Sequence, residues 1–326
     1  MSQRFFLGLM IASIGSAMAG GATDAAAAWP ETPIRVIIPY SPGSAGDIAF
    51  RKLTPALTKS LGQPVIVDYK AGAGGNIGAA EVARAKPDGY TLLLGATNNF
   101  VINQFLYKNM GFDPLVDLVP IARVAEVPSI LFINSSVPAH TFSEFASFAK
   151  AHPGQLNYGS PGSGTAPHLS AYALSAAIGA SMTHVPYKGA QPGVTGLLAN
   201  DVQMFLVGYG VAGAQVASGR IRALAVASKQ RLSAMPDVPT MAESGAPDVV
   251  LSNWWGLAAP RGTPPQIVKR LADEVRSAAH QPGMVADMAA QGFLMKDDSP
   301  ETFASELKTE AQAWQRIVQE SKVTLD

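Results

Sequence analysis

Two short stretches of this chain place hydroxyls, glycines and backbone amides where they could hold an anion: Ser41-Pro42-Gly43-Ser44 and Ser160-Pro161-Gly162-Ser163. Each follows an apolar, strand-like segment and leads into a helix-like one. A helix N-terminus leaves backbone N–H groups without intrahelical acceptors and carries a partial positive charge, so it favours an anion placed before it. In the first stretch, Tyr40 to Asp47, the glycines permit close backbone approach and Asp47 is read as the N-cap of the following helix. In the second, Tyr158 to His168, Thr165 is the candidate cap and Pro167 falls in the first turn, where proline is tolerated. His168 lies one turn into that helix, as a packing residue or a ligand contact. Hydroxyls and amides of this kind can bind a carboxylate without an arginine. Two such loops suggest two lobes sharing one anionic ligand.

The same residue types could support other chemistry. Ser160, Ser163 and His168 are close in sequence, so an exported serine hydrolase is the alternative of another class. The chain has no G-x-S-x-G elbow, however, and a triad is recognised by geometry. The five histidines, His140, His152, His168, His184 and His280, show neither H-E-x-x-H nor any paired spacing, so no metal site is expected. Gly72-Ala73-Gly74-Gly75-Asn76-Ile77-Gly78 follows a strand and opens a helix, but its last glycine is one residue late for G-x-G-x-x-G and the stretch lacks a phosphate-loop lysine. It reads as a helix-starting turn packed on a sheet. No catalytic residue and no cofactor are expected.

The elements that must position the loops alternate. Ile34–Tyr40, Val65–Asp68 and Thr91–Leu94 read as strands, separated by helices over 48–61 and 76–85. A second run repeats the pattern, with strands over 129–133, 156–158, 183–186, 202–207 and 223–227 and helices over 141–150, 166–177, 194–198 and near 211–218. Strands separated by single helices predict α/β architecture with a mostly parallel sheet. The segments 264–279, 282–290 and 300–320 read as helices with no strong strand between them, as in a tail covering a sheet made earlier. The expected organisation is lobe 1 over 29–128, lobe 2 over 129–250, and a return to lobe 1 over 251–326 near Val249 to Leu257. Two crossings between lobes make a hinge. Trp254 and Trp255, beside the second crossing, are read as core rather than cleft wall, because aromatics bury large areas. Tyr209, flanked by Gly208 and Gly210, is a weaker wall candidate.

At 326 residues and 48% apolar content the chain can bury a core in each of two domains. Its 24 basic and 24 acidic residues cancel and no window is strongly basic, which argues against nucleic acid as a partner. Arg4 precedes an apolar run, Phe5 to Ile14, followed by Ala17-Met18-Ala19 and Ala26-Ala27-Ala28, both acceptable cleavage sequences. The run is too short to span a bilayer and reads as a secretory signal peptide over 1–28, cleaved before Trp29 or alternatively after Ala19. The expected location is periplasmic, with no membrane insertion after cleavage. The absence of cysteine excludes a lipid-modified N-terminal cysteine, disulfides and thiol catalysis.

Several motifs occur in an order that resembles the Bug receptors, the periplasmic solute-binding proteins of tripartite tricarboxylate transporters. They are Pro33-Ile34-Arg35-Val36, Pro42-Gly43 to Asp47, Gly62-Gln63-Pro64-Val65, Gly72 to Gly78, Pro87-Asp88-Gly89-Tyr90-Thr91-Leu92, His184-Val185-Pro186-Tyr187-Lys188-Gly189 and Pro236-Asp237-Val238-Pro239-Thr240. The resemblance runs from about Trp29 to the C-terminus. It implies a monomeric, two-lobed binding protein of the type II flytrap class, which closes on a small carboxylate and delivers it to membrane transporter subunits; delivery to a membrane sensor kinase is the alternative. It also implies the contacts: Tyr40, Ser41, Ser44, Ala45, Gly46 and Asp47 from the first lobe, Ser160, Gly162, Ser163, Gly164, Thr165 and His168 from the second, with Thr97 and Asn98 as further walls.

The chain departs from the family's pattern in places. The usual first loop reads Pro-Gly-Gly-Pro-Thr-Asp, so Gly46 loses a threonine hydroxyl while Ser44 gains one. Many relatives have aspartates where this chain has Gly196 and Leu206. If either position faces the cleft, an amino group on the ligand loses its counter-charge, which favours a simple, apolar or aromatic carboxylate over an amino acid.

Overall fold

The computed structural model of the chain describes residues 29–246, 253–296 and 298–325; the expected signal peptide, and residues 249–252 of the expected return crossing, lie outside them. The first sheet is built from β1 (Ile34–Ile38), β2 (Val65–Tyr69), β3 (Thr91–Ala96), β4 (Leu118–Val127) and β10 (Asn253–Pro260), in the order β2-β1-β3-β10-β4. The second contains β5 (Ile130–Asn134), β6 (Leu156–Ser160), β7 (Met182–Pro186), β8 (Met204–Val207) and β9 (Ile221–Val226), in the order β7-β6-β8-β5-β9. In each sheet four strands share one direction and one opposes them, β10 in the first and β5 in the second.

The reversed strands follow from how the chain changes lobes. β4 runs to Val127 and β5 begins at Ile130 in the other sheet; β9 ends at Val226 and the next described strand, β10, is back in the first. Strands that end at the cleft hand the chain to a strand that starts there. That strand must run away from the cleft, antiparallel to its neighbours. Neither β4 nor β10 is among the strands expected from the sequence, which reads the β10 region only as a crossing.

Helices cover both faces of both sheets. In lobe 1, α1 (Ala45–Leu61), α8 (Pro265–Ala279) and α9 (Met284–Ala290) pack on the face carrying Ile34, Val36, Ile38, Leu92 and Trp255. On the other face, α2 (Asn76–Ala83), the tight turn over Asn98–Ile102, α3 (Asn103–Leu106) and α10 (Pro300–Ser321) enclose Ile37, Leu93 and Trp254. Successive strand residues point to opposite faces, so Trp254 and Trp255 enter different cores, both buried as expected. In lobe 2, α4 (Phe142–Ala151) and α5 (Ala166–Ala177) pack against Leu131, Ile133 and Leu206, while α6 (Ala190–Ala199) and α7 (Tyr209–Ala212) cover Ile130, Phe132 and Phe205. Among the described residues no helix is long and apolar enough to cross a membrane.

Local sequence explains the helix ends that face the cleft. α1 begins three residues earlier than its apolar periodicity suggests. Ser44 is extended (φ −63°, ψ 156°) and its Oγ accepts from the Asp47 N–H at 3.4 Å, so Ser44 is the N-cap, not Asp47. α5 is capped by Thr165 as read from sequence, its Oγ1 accepting from the His168 N–H at 3.4 Å. The turn before α2 packs tightly on the sheet, as expected: a Cβ on Gly78 would lie 2.9 Å from the Lys70 carbonyl oxygen.

Candidate ligand-binding site

The carboxyl ends of β1, β3 and β6 bring the two loops to the edge where the chain passes between lobes. In the first loop Gly43 sits at φ +82°, a left-handed conformation that favours glycine, and turns the chain so that Ser44 can cap. The Asp47 carboxylate accepts from the Gly43 N–H at 2.8 Å, from Arg51 Nε at 2.8 Å and from the Tyr69 hydroxyl at 2.7 Å. Burial alone would raise the Asp47 pKa, but these three donors outweigh it and hold the group below the ordinary aspartate range. Asp47 thus braces the loop, with three of the roughly four acceptor sites of its carboxylate taken. The N–H groups of Ala45 and Gly46, the first two positions of a 17-residue helix, find no acceptor within the protein. Ser41 is exposed and its hydroxyl is likewise uncommitted.

Beneath this loop lies an aromatic floor. The Tyr40 and Trp255 rings meet edge to face with centroids 5.1 Å apart. The Trp255 ring presses against Gly46 so closely that a Cβ there would overlap it. Gly46 has ordinary helical backbone angles, so its missing side chain is a matter of space. The Trp255 Nε1–H is buried without a partner, and the Tyr40 hydroxyl, donating to the Gly74 carbonyl at 3.3 Å, has its pKa pushed up by burial.

The residues after β3 are committed to structure. Thr97 is buried, and its hydroxyl accepts from the Trp254 N–H at 2.9 Å and donates to the Trp254 carbonyl at 3.2 Å, stitching β3 to β10. Asn98 reaches the other lobe: its Nδ2 donates to the Gly164 carbonyl at 2.9 Å and its Oδ1 accepts from the Ala166 N–H at 3.2 Å.

Apart from Ser163, the second loop is held by hydrogen bonds within the protein. Ser160 is fully buried, its Oγ lying 2.7 Å from His184 Nε2, 3.0 Å from the Gly162 carbonyl oxygen and 3.2 Å from the Gly162 N. The Thr165 hydroxyl donates to the Gly162 carbonyl at 2.7 Å, and the Gly164 N–H donates to His168 Nδ1 at 3.0 Å. His168 and His184 stack with centroids 3.6 Å apart and planes at 15°. Burial lowers both imidazoles to about 4, with the facing ring adding to the effect at His168, which keeps His168 Nδ1 an acceptor at neutral pH. Of the residues expected here, Ser163 alone is exposed, and its amide and hydroxyl have no protein partner.

The structure therefore brings the expected residues together but divides their work. Ser41, Ala45, Gly46 and Ser163 keep free donors; Ser44, Asp47, Thr97, Asn98, Ser160, Gly162, Gly164, Thr165 and His168 build and hold the loops. Two residues were missed. His184 adjoins Tyr158 through the parallel pairing of β6 and β7, a long-range contact with no local signal. Trp255 was read only as core. The positions of the absent aspartates are both packed: Gly196 lies against the Tyr187 hydroxyl, and Leu206 belongs to the lobe 2 core. Tyr209 wedges between Gly213 of its own lobe and Gly292 of lobe 1. Among the described residues no cluster of histidines and carboxylates is arranged to hold a metal.

The chain is similar to known proteins over most of its length. Protein BugT of Bordetella pertussis is 34% identical over 320 residues, covering 98% of this chain and 97% of its own. Among solved structures, Rpa4515 of R. palustris with adipate has a TM-score of 0.80 at 29% identity, covering 91% of this chain and 99% of its own. MatC of Rhodopseudomonas palustris with bound malate has a TM-score of 0.76 at 30% identity, over 89% of this chain and all of its own. Residues 49–323 match the model of the tripartite tricarboxylate transporter family receptor, and the chain belongs to that family of periplasmic solute-binding proteins.

Proposed function

We propose that the chain is an exported solute-binding protein that captures a small carboxylate between its two lobes and delivers it to a tripartite membrane transporter. The observation that carries this reading is the unmatched pair of amides at the start of α1, Ala45 and Gly46, at the lobe edge beside uncommitted hydroxyls. A carboxylate supplies the acceptors that such a helix start lacks. A ligand without an ammonium group suits the site better, because Asp47, the acid of the first loop, is already engaged by Gly43, Arg51 and Tyr69. The aromatic floor of Tyr40 and Trp255 suits an apolar or aromatic body behind the carboxylate. Adipate and malate in two family structures support the class of ligand. A hydrolase is disfavoured by the burial of Ser160, which leaves its hydroxyl inside the loop it braces.

The test is thermal-shift and calorimetric titration of the mature protein with adipate, malate, benzoate, succinate and aspartate. A ligand at 100 times its Kd stabilises the folded protein by about 2.7 kcal/mol. A shift with at least one carboxylate is expected, and silence across the panel would sink the proposal. Tighter binding of aspartate than of succinate would contradict the absence of an ammonium group.

A further inference from the structure

The first turns of α1 and α5 stand in matching places in the two lobes but differ at one position. At the first helical residue of α1, Ala45, the N–H is open; at the first residue of α5, Ala166, it is taken by the Oδ1 of Asn98, which belongs to the opposite lobe. The next residue of α5 is Pro167, without an N–H, and the third, His168, is satisfied by Thr165. The N-terminus of α5 is thus completed only by a side chain from across the lobe boundary.

We propose that Asn98 is a positioning residue of the binding site: acting from lobe 1, it caps α5 and pins the second loop, so that the two lobes pivot at this point. Its carboxamide is fully employed. Besides accepting from Ala166, its Nδ2 donates to the Gly164 carbonyl at 2.9 Å and to Asn103 Oδ1 at 3.1 Å. Asn103 in turn donates to Asn76 Oδ1 at 2.7 Å and to the Gly74 carbonyl at 3.0 Å. The start of α2 is thereby linked to the start of α5 by a chain of amide side chains, whose planar geometry fixes direction as well as distance.

Apolar packing around the contact points the same way. Ala166 and Leu169 of lobe 2 are buried in a cluster made mostly by lobe 1, which includes Phe100, Leu106 and Trp314. Gly164, at φ +73°, has no room for a side chain, because a Cβ would lie 2.9 Å from Leu106 Cδ1 and closer still to Leu325. Leu325 is itself held by its N–H donating to the Leu106 carbonyl at 2.9 Å. Separating the lobes here would expose apolar surface and strip two hydrogen bonds, so lobe motion is expected to preserve this contact and turn about it. Asn98 therefore sets the loop that meets the ligand without touching the ligand. This inference rests on the reading that the two loops form the ligand site, and the experiment separates the two.

The chain has no cysteine, so Ser60→Cys and Ala199→Cys, exposed on α1 and α6, accept labels that report the inter-lobe distance. Asn98→Ala is expected to raise amide exchange at Ala166 at least tenfold, broaden the distance distribution of the unliganded protein, and raise the Kd for adipate or malate about tenfold. Asn98→Asp keeps an acceptor for the Ala166 N–H but cannot donate to Gly164; it should restore amide protection while the distances stay broad. A fall in affinity with exchange and distances unchanged would make Asn98 a ligand contact and overturn the proposal, as would no change in any readout. Should Asn98→Ala not fold, Leu325→Ala removes the side chain seated on Gly164 and leaves Asn98 in place; unchanged exchange over 162–166 and unchanged distances would then overturn it. Failure of the parent protein to bind any carboxylate would sink the ligand reading alone, since exchange and distance still judge Asn98.

Discussion

Gly46→Ala tests whether the first loop is shaped by the indole beneath it. Alanine normally improves a helix position occupied by glycine, by up to about 1 kcal/mol, and Gly46 has no positive φ that would oppose the change. Here the new methyl would lie 2.7 Å from Trp255 Cγ, with two further ring atoms closer still, against an ordinary carbon contact of roughly 3.5–4.0 Å. Trp255 is 5% exposed and locked among Tyr40, Ala125 and the α1 core, so the ring has nowhere to go. Overpacking of this kind costs about 1–3 kcal/mol, and the size of the overlap puts the cost near the top of that range. The expected net loss is about 2 kcal/mol, or a Tm lower by roughly 3 °C, with weaker carboxylate binding as Ala45 and Gly46 are displaced. The decisive measurement is a double-mutant cycle by equilibrium urea unfolding. In a Trp255→Ala background, itself destabilised by about 3–5 kcal/mol, the same Gly46→Ala change should become neutral or stabilising, a reversal of sign. Additive effects, or a parent-background variant as stable as the original, would refute the claim that Trp255 dictates the glycine.

Two further outcomes follow from the charged and titrating groups of the loops. His168 and His184 have folded pKa values near 4 against an ordinary 6.5; the unfolded chain binds protons first on acidification, so stability should fall as pH drops from about 6.5 to about 4, by on the order of 1 kcal/mol per pH unit per histidine. His168→Gln should flatten that limb of a pH series of urea midpoints, and an unchanged slope would count against the buried neutral pair. Asp47 behaves in the opposite sense, since its folded pKa is lowered: its contribution is present above about pH 3.8 and is lost as pH falls through the folded value. Asp47→Asn, which offers an amide to donors in place of a second carboxylate oxygen, should cost about 2 kcal/mol at pH 7, remove that acid limb and loosen Gly43; wild-type stability at pH 7 would show that the carboxylate does not brace the loop.

What was legible in the sequence was what short-range patterns encode. The α/β alternation, the two small-residue loops, the Thr165 cap and the C-terminal helices all follow from periodicity and cap chemistry within a few residues. Ser44 was passed over as the cap because Asp47 fits the same preference; the choice was made by the extended backbone at Ser44 and by three donors converging on Asp47, two of them, Arg51 and Tyr69, supplied from outside the loop. β10 reads as a connection because seven of its eight residues are buried, on both faces, and they show no alternation. The pairings of Asn98 with Ala166, of His184 with Ser160 and of Trp255 with Gly46 span 68, 24 and 209 positions in the chain. No local rule reaches that far.

The two loops share a sequence phrase but not a physical role, and hydrogen-bond accounting shows why. A buried or half-buried N–H must find an acceptor. In the second loop Gly162, Gly164, Thr165, Ala166 and His168 all find theirs within the protein and the Ser163 amide does not, so everywhere but Ser163 an incoming anion would have to displace bonds already made. In the first loop the amides of Ala45 and Gly46 have nothing to give up. Hydrogen bonds to a charged group contribute about 1.5–3 kcal/mol each, so two amides and one hydroxyl supply roughly 4.5–9 kcal/mol before ordering costs, against about 8 kcal/mol for a micromolar complex. On the proposed reading, charge recognition belongs to lobe 1. Lobe 2, with its loop tied to lobe 1 through the Asn98 hydrogen bonds, would then contribute enclosure, and an enclosing lobe gains from having its loop fixed in advance, because a loop that ordered only on contact would subtract its own entropy from the binding energy.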